Sequence, residues 1–321
     1  MSLANWFSVR KELSPQKRKS LSVGSFLLPL ILWGIVSYVP FVWHPMMSIT
    51  EPGDVDYFQV EMLVDKSIFK DEVSNMQSAG KQLPQGFSAN PIYLPAPHQV
   101  AKALYTAFTT PPLQSDGKWL YESLWKSIKL IFWSFVISSI IGVPLGILCG
   151  SYSAISRLFE PFIEFFRYLP APAFGALAVA ILGIYDGPKM AVIVIGTLFQ
   201  QILIIANTTR QLDYSLLEAA LTLGTSKFKM FIHVIVPGIL PQLYRDQRIL
   251  LGWAWTYLIV AELIGTSSGI TWFITQQARY QHFENVYAAI FIIGFIGFTT
   301  DLFLAWLGKR MFTWDRPVNK E

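Results

Sequence analysis

Residues 216–237 have the sequence LLEAALTLGTSKFKMFIHVIVP. This stretch is polar and basic around its centre, and it separates the apolar runs 190–206 and 250–264. Two apolar runs on either side of a charged segment are typical of membrane-spanning helices that are joined by a loop in water. On composition alone, the stretch is an ordinary amphipathic connector between two spans.

Residues that favour the beginnings and ends of helices indicate two short helices within this connector. The candidate capping residues have side chains that accept hydrogen bonds: Asp213 or Ser215 for the first helix, and Thr225 or Ser226 for the second. Gly224 can end the first helix in the left-handed conformation. The second helix is expected to stop before Pro237. The pattern predicts a helix, a tight glycine turn and a second helix.

The composition is that of a membrane protein. Hydrophobic residues make up 53% of the 321 residues and charged residues only 14%, whereas a soluble domain carries roughly 25% charged residues. Six runs indicate transmembrane helices, each of which needs about 20 residues. These runs are 23–43, 125–150, 166–184, 190–206, 250–264 and 286–307. We therefore predict an all-α membrane protein with about six transmembrane helices.

Basic residues predict the orientation. They concentrate before the first run, in the connector and after the last run, and positively charged loops stay in the cytoplasm. Both termini and the connector are therefore expected inside. The predicted regions are a cytoplasmic N-terminus (1–22), a first span (23–43), an outer segment (44–120), a membrane core (121–308) that contains the connector (209–248), and a cytoplasmic C-terminus (309–321).

Residues 44–93 differ from the rest of the chain because they are acidic and have little apolar periodicity. An acidic loop after an N-in span is expected outside the membrane, and it is too long for an ordinary connection. The sequence leaves open whether it forms a small cap or a partly ordered loop. Its prolines and glycines predict that the later part is extended.

The connector also carries a specific motif. Glu218, Ala219 and Ala220 are followed three residues later by Gly224, and nine residues after that by Val-Ile-Val and Pro237. This spacing resembles the EAA motif of ABC importer permeases, Glu-Ala-Ala, three residues, Gly, nine residues, Ile-x-Leu-Pro. The departures are valines for isoleucine and leucine. The resemblance implies that these five residues belong to a coupling loop, which transmits the closure of the ATPase subunits to the spans.

Other segments resemble the nitrate, sulfonate, taurine and bicarbonate branch of these permeases. They are Leu-Pro-Ala-Pro at 94–97, Arg-Tyr-Leu-Pro at 167–170, Ala-Glu-Leu-Ile-Gly at 261–265 with Ser-Gly at 268–269, and the ending 301–314. The resemblance implies a type I importer fold and covers the chain from about Leu94. Residues 44–93 depart from it and are expected to be a periplasmic insertion.

The resemblance implies a set of partners in a bacterial inner membrane. These are two cytoplasmic ATP-binding subunits, a periplasmic binding protein that delivers the solute, and a second permease copy, identical or related. The chain has no Gly-x-x-x-x-Gly-Lys-Ser/Thr loop, so ATP and magnesium are expected to be used by the ATPase partner. We expect no enzymatic activity and no cofactor or metal in this chain, and no nucleic-acid partner. The branch implies a small anion such as a sulfonate, taurine or nitrate.

Charged residues inside apolar runs are costly and often functional. Arg167, Glu262 and Asp301 are the candidates for the pathway or a gate, although helix pairing or snorkelling at the interface explains them equally simply. We expect Glu262 to organise an outer gate or loop. The alternatives from other classes are a membrane-anchored sensor, with residues 44–93 as its receptor, and a membrane-embedded enzyme. The sequence has no His-Glu-x-x-His or Gly-x-Ser-x-Gly motif for the enzyme.

Overall fold

The computed structural model describes residues 14–39, 42–110, 119–264 and 268–315. Most of these residues are helical, and the chain divides into two compact units. The first unit comprises the chain up to Ala107 together with Gln277–Ala288. The second unit comprises Phe108–Gln276 and the chain from Ala289 onward.

The first unit contains a helix and a small α/β module. Its elements are α1 (Pro15–Tyr38), β1 (Met46–Glu51), β2 (Leu63–Asp65), α2 (Lys66–Ser78), β3 (Gln85–Ala89) and most of α3 (Pro97–Thr109). The three strands form an antiparallel sheet in the order β2-β1-β3. Ile49, Val64 and Phe69 belong to its apolar core. Residues 44–93 are therefore largely a folded module, which adds a sheet that the all-α expectation did not include, and their later part is extended as predicted.

Helix α1 begins earlier than the predicted span. It starts at Pro15 rather than at residue 23, because proline in the first turn lacks an N–H that the helix would leave unpaired anyway. The indole N–H of Trp33 donates to the carbonyl oxygen of Pro95 at 3.1 Å, and its ring stacks on Tyr287. The Tyr38 hydroxyl lies 2.7 Å from Nδ1 of His98. These contacts join α1 to the start of α3.

The second unit is helical. Its elements, with helices α11 and α12 shared with the first unit, are α4 (Leu120–Ser151), α5 (Ser153–Arg167), a 3-10 turn (Ala171–Phe174), α6 (Gly175–Leu182), α7 (Asp186–Arg210), α8 (Tyr214–Thr222), α9 (Lys227–Met230), a π-helical segment (Phe231–Ile235), α10 (Val236–Glu262), α11 (Ile270–Arg279) and α12 (Phe283–Met311).

Four of the described helices are long and apolar enough to cross a membrane: α1, α4, α7 and α12. The predicted third span, 166–184, is not one continuous helix. It is replaced by α5 and by the segment Ala171–Leu182, which consists of the 3-10 turn and α6; the two are bent by 88° and count as a fifth span only if they cross together. The predicted fifth span, 250–264, is the end of the longer α10, which also carries Arg245, Asp246 and Arg248. The count of six spans stays a prediction.

The segment 209–248, expected as a loop, is largely helical. Helix α7 continues to Arg210, and α10 already begins at Val236. Pro237 does not end the helix, because it follows the π-helical segment Phe231–Ile235, in which the backbone hydrogen bonds have already shifted their register by one residue. The prediction that Pro237 ends the second connector helix is therefore wrong.

Three glycines bring α4 and α7 into close contact. Gly142, Gly146 and Gly150 repeat every four residues on α4, and they face Gln201, Ile205 and Thr209 on α7. A Cβ atom on Gly146 would lie 2.8 Å from Cβ of Ile205 and 2.9 Å from the carbonyl oxygen of Ile202. Small residues at such spacing let two membrane helices approach until their backbones touch. This contact is the centre of the second unit.

A polar cluster ties α10 to the same pair of helices. The side chain of Gln201 is buried; its Oε1 accepts from the hydroxyl of Ser138 at 2.7 Å, and its Nε2 donates to Oε1 of Gln247 at 2.6 Å. Thr208 donates to the carboxylate of Asp246. Hydrogen bonds between polar side chains add stability to helix pairs in lipid, so α10 is fixed at two points along α7.

We expect Gly146→Ala to destabilise the protein, since the added methyl group overlaps the backbone of α7. Overpacking of this kind costs about 1–3 kcal/mol. The measurement is thermal unfolding of the detergent-purified chain. Gly24→Ala in α1 is the matched control, because a Cβ there meets no atom within 4 Å and alanine raises helix propensity. Equal melting temperatures for the two variants would contradict the close contact.

Candidate functional site

The motif segment, residues 213–230, begins with a short capped helix, α8. The side chain of Asp213 accepts a hydrogen bond from the backbone N–H of Ser215 at 3.0 Å, where α8 begins. The backbone N–H of Ser215, and then its side chain, lower the pKa of Asp213 below its ordinary value, because they stabilise the carboxylate. Asp213 is therefore ionised at neutral pH and favours the N-terminus of α8.

A Schellman motif ends α8 at the glycine of the motif. Gly224 has φ +74°, its N–H donates to the carbonyl of Leu221 at 2.9 Å, and the N–H of Thr225 donates to the carbonyl of Ala220 at 3.1 Å. These are the two bonds that define this helix ending, and they need a residue that accepts a positive φ. The hydroxyl of Ser226 then accepts from the N–H of Lys229 at 3.4 Å and caps α9.

The two sides of the motif segment are chemically different. Leu217 and Ala220 face the spans, where Leu217 packs against a core cluster that includes Ile205 and Ile239. Exposed residues of the segment include Glu218 and Ala219. Large exposed apolar side chains accompany them, among which Leu223 is 85% exposed and Phe228 is 71% exposed. Ala220 is buried and so is not available to another protein, unlike Ala219.

Pro237 belongs to α10 and not to the motif segment with its exposed apolar side chains. Between Ser226 and Pro237 the chain passes through α9 and the π-helical segment without leaving the helical state. Each backbone hydrogen bond of a π-helix spans one residue more than that of an α-helix. The motif therefore spans two structures: a turn that presents side chains, and the beginning of the long helix α10.

Glu262 is held in a buried hydrogen-bond network at the end of α10. Its carboxylate accepts from the hydroxyl of Ser127 and, at 2.8 Å, from the backbone N–H of Thr271. The oxygen of Ser127 also accepts from the N–H of Ile270 at 2.9 Å. Glu262 therefore binds the N-terminus of α11 and anchors it to α4 and α10. This is a positioning role.

Gly269 lies directly against this carboxylate. It has φ +108°, and a Cβ atom there would overlap the side chain of Glu262. The glycine is required on both counts, since few side chains tolerate this φ and no space is available for one. The Ala-Glu-Leu-Ile and Ser-Gly segments noted in the sequence thus meet in one network, although residues 265–267 lie outside the described residues.

The other two sequence candidates lie elsewhere. Arg167 ends α5, and its guanidinium contacts the exposed ring of Tyr168. Asp301 is in α12 and forms a bidentate pair with Arg248 of α10. Among the described residues, no hydrogen bond or ion pair joins Arg167, Glu262 and Asp301 to one another, so they do not form one site.

The sequence reasoning missed three residues at these positions. Ser127 and Lys189 are buried, and Lys189 lies 3.6 Å from the carboxylate of Asp186. Arg248 was counted only among the basic residues of the connector. A usable signal was its position two residues before an apolar run, which indicates a helix that continues on both sides of it. In the part of the chain that the structure describes, no three His, Cys, Asp or Glu side chains could hold a metal ion.

Comparison with known proteins identifies the family. Residues 142–313 match the family described as binding-protein-dependent transport system inner membrane component. A probable ABC transporter permease of Brucella melitensis is 29% identical over 223 residues, which cover 70% of this chain and 88% of that protein. A putative aliphatic sulfonates transport permease, SsuC of Escherichia coli, is 30% identical over 226 residues, which cover 69% of this chain and 82% of that protein.

One solved structure supports the fold. A chain from the inward-facing MetNI methionine ABC transporter superposes with a TM-score of 0.54 at 17% identity, covering 64% of this chain and all of that one. The family match includes α8, α10 and all of α12 but begins after the α/β module. This chain belongs to the binding-protein-dependent transport system inner membrane components, the transport permeases of ABC importers.

Proposed function

We propose that this chain forms the translocation pathway of an importer whose ATPase subunits dock on the segment around α8 and drive α10. The observation that carries the proposal is the exposed apolar surface beside a rigid Schellman turn, at the position of the EAA motif. Exposed apolar side chains mark interaction sites when they lie together. Two ATPase subunits, a second permease copy and a solute-binding protein complete the proposed complex.

The two faces of α8 suit a coupling element. A helix of this length is marginal by itself, and the capped ends with the inner contacts of Leu217 and Ala220 fix it to the spans. Leu223 and Phe228 supply apolar anchors for a groove on the ATPase, and Glu218 supplies a charge for a basic partner. Movement of the docked subunit is then transmitted to α10 through α9 and the π-helical segment.

Charge supports the orientation with this segment in the cytoplasm. Lys227, Lys229 and Arg210 flank α8, and positively charged connections stay inside. The same rule places both termini inside and the α/β module outside. The Glu262 network then lies at the outer end of α10, where fixing α11 to α4 would set the shape of an outer gate.

The proposed solute is a small sulfonate-like compound. The relative named for aliphatic sulfonates supports this choice, whereas the chemical selection of the solute belongs to the binding protein. The α/β module is the proposed docking surface for that protein, and it exposes Tyr57, Val60 and Phe87. Its acidic side chains argue against a funnel for anions, since like charges repel within about 8 Å at physiological salt.

We expect Gly224→Ala to reduce ATP-driven uptake while the complex remains in the membrane. The side chain opposes the positive φ of the Schellman turn at a cost of roughly 1–2 kcal/mol, and Gly224→Pro also removes the N–H that bonds Leu221. The measurement is uptake and ATP hydrolysis in proteoliposomes. Gly80→Ala is the matched control, because Gly80 also has a positive φ and open space around it and ends α2 with the same two Schellman bonds. Equal uptake losses in the two alanine variants would show strain without a coupling role.

We expect Leu223→Asp and Glu218→Arg to weaken ATPase docking. Both side chains are exposed, so neither change disturbs the interior, while each alters the charge of the proposed contact. The measurement is the amount of ATPase that co-purifies with the tagged permease. Full recovery of ATPase with both variants would reject the docking surface.

We expect the α/β module to be removable as one piece. Met46 pairs with Ala89 across β1 and β3, so their Cα atoms lie roughly 5 Å apart and two glycines can join them. Removal of residues 47–88 should leave membrane insertion and ATPase assembly intact but reduce stimulation of ATP hydrolysis by the binding protein. Loss of insertion would make the module structural, and unchanged stimulation would exclude a docking role.

We expect a cysteine at Lys227 to resist a membrane-impermeant maleimide in intact cells and to react after lysis. The background is Cys149→Ala, which removes the single cysteine of the chain. A cysteine at Asp71, exposed in the α/β module, is the positive control and should react in intact cells. Labelling of the Lys227 position from outside would reverse the proposed orientation.

A further inference from the structure

A cavity of about 380 Å³ lies between α10 and α12 in the second unit. Its size is within the range of sites for small molecules. Most of its wall is apolar, and three glycines widen it. The lining includes Arg248, Gly252, Trp255, Gly297, Thr300 and Asp301.

One charged pair forms the polar part of the wall. The Nε and Nη2 atoms of Arg248 donate to Oδ1 of Asp301 at 3.0 and 2.8 Å, and Nη2 also donates to Oδ2 at 2.9 Å. The side chains remain 22% and 49% exposed, respectively. Asp301 is in a helix that is apolar and long enough to cross a membrane, where charged side chains are rare and mark solute or ion pathways.

Several donors at this wall have no partner within the described chain. The hydrogen bonds of Arg248 involve Nε and Nη2, which leaves Nη1 open, and none joins the indole N–H of Trp255 or the hydroxyl of Thr300 to another described residue. Guanidinium, indole and hydroxyl donors suit a sulfonate or carboxylate. Asp301 keeps an exposed carboxylate that can accept from a cation.

The charge balance of the cavity discriminates between classes of solute. The empty wall is neutral, since it holds one positive and one negative side chain. A simple anion would leave the wall and solute with a net charge of −1, and a simple cation with +1. An uncompensated charge is unfavourable in a site that lies within the membrane, as the proposed pathway does. A solute with one group of each sign leaves the total at zero.

We propose that the Arg248–Asp301 pair is a solute-contact site in the translocation pathway and that it takes small zwitterions, with the anionic group on Arg248 and the ammonium on Asp301. The solute replaces a side-chain pair by two solute pairs, so no charge is left alone at any stage. The apolar wall and the glycines then surround the short spacer. This inference rests on the proposed function and narrows its solute class.

Three probes with the same two-carbon skeleton test the charge rule: taurine, which is a zwitterion, ethanesulfonate, which is an anion, and ethylammonium, which is a cation. The complex purified through a tag on this chain, without binding protein, is placed in nanodiscs and equilibrated with tritiated taurine. We expect saturable binding that unlabelled taurine displaces at least about tenfold more effectively than the other two probes, a difference of 1.4 kcal/mol.

Variants of the pair distinguish a solute contact from a helix-packing contact. Asp301→Asn leaves a net positive wall, so ethanesulfonate should become a better competitor than taurine. Arg248→Gln leaves a net negative wall, so ethylammonium should gain instead. A packing role alone predicts lower thermal stability in both variants and no change in the order of the probes. Arg245→Gln is the control, because Arg245 pairs with Asp315 and does not line the cavity.

The results that would overturn the inference are specific. They are the absence of saturable taurine binding, displacement by ethanesulfonate as strong as by taurine, or an unchanged probe order in both folded variants. If a single variant fails to fold, the exchanged pair Arg248→Asp with Asp301→Arg keeps both charges, and it must retain the preference for the zwitterion. A failed probe order with intact ATP-driven uptake rejects only this site, whereas failure to assemble with an ATPase rejects the proposed function.

Discussion

The contact between the backbones of α4 and α7 is the constraint on which the second unit depends. A bilayer supplies little hydrophobic force between helices, so association relies on close packing and on hydrogen bonds. The repeat of Gly142, Gly146 and Gly150 provides the packing. It also brings Ser138 within 2.7 Å of Gln201. A bulkier stripe would separate the helices and remove the hydrogen bond that Ser138 donates to Oε1 of Gln201.

The pair α4 and α7 also fixes α10, and α10 in turn contacts further elements at both of its ends. Gln247 and Asp246 bond side chains of α7 near the middle of α10. At one end Glu262 holds the beginning of α11, and at the other end the π-helical segment leads to α9 and the Schellman turn. The helical run from Lys227 to Glu262 is on the order of 50 Å long at 1.5 Å per residue. Helical backbone thus runs from α9 to the Glu262 network, with the π-helical segment and Pro241 within it.

Local sequence rules predicted the parts of this structure that depend on neighbouring residues. Residue type and spacing offered Asp213 or Ser215 and Thr225 or Ser226 as caps and Gly224 as the turn, and the structure uses Asp213, Ser226 and Gly224. The family was also correctly identified from the motif. Contacts between residues far apart in the chain could not be predicted by these local rules, because a single sequence does not say which side chains meet. Arg248 and Asp301 are 53 positions apart, and hydropathy placed them in different segments.

Hydropathy also misplaced the limits of helices for a physical reason. It measures transfer of side chains to lipid, whereas a helix continues wherever its backbone bonds continue, as in α1 from Pro15 and α10 from Val236. The bend between α5 and α6 contains Pro170 and Pro172, a signal that hydropathy does not weigh. The sequence did not decide whether residues 44–93 fold, because apolar and polar residues alternate only weakly in the short strands of the α/β module.

The π-helical segment Phe231–Ile235 fixes how α9 is rotated about the helix axis relative to α10. An α-helix turns by about 100° per residue, and a π turn accommodates one extra residue without extending the helix by a full step. The number of residues between Ser226 and Val236 therefore sets the direction in which α9 and the Schellman turn leave the axis of α10. Insertion or loss of one residue there would keep every side chain of α8 and α10 and yet rotate α8 about that axis.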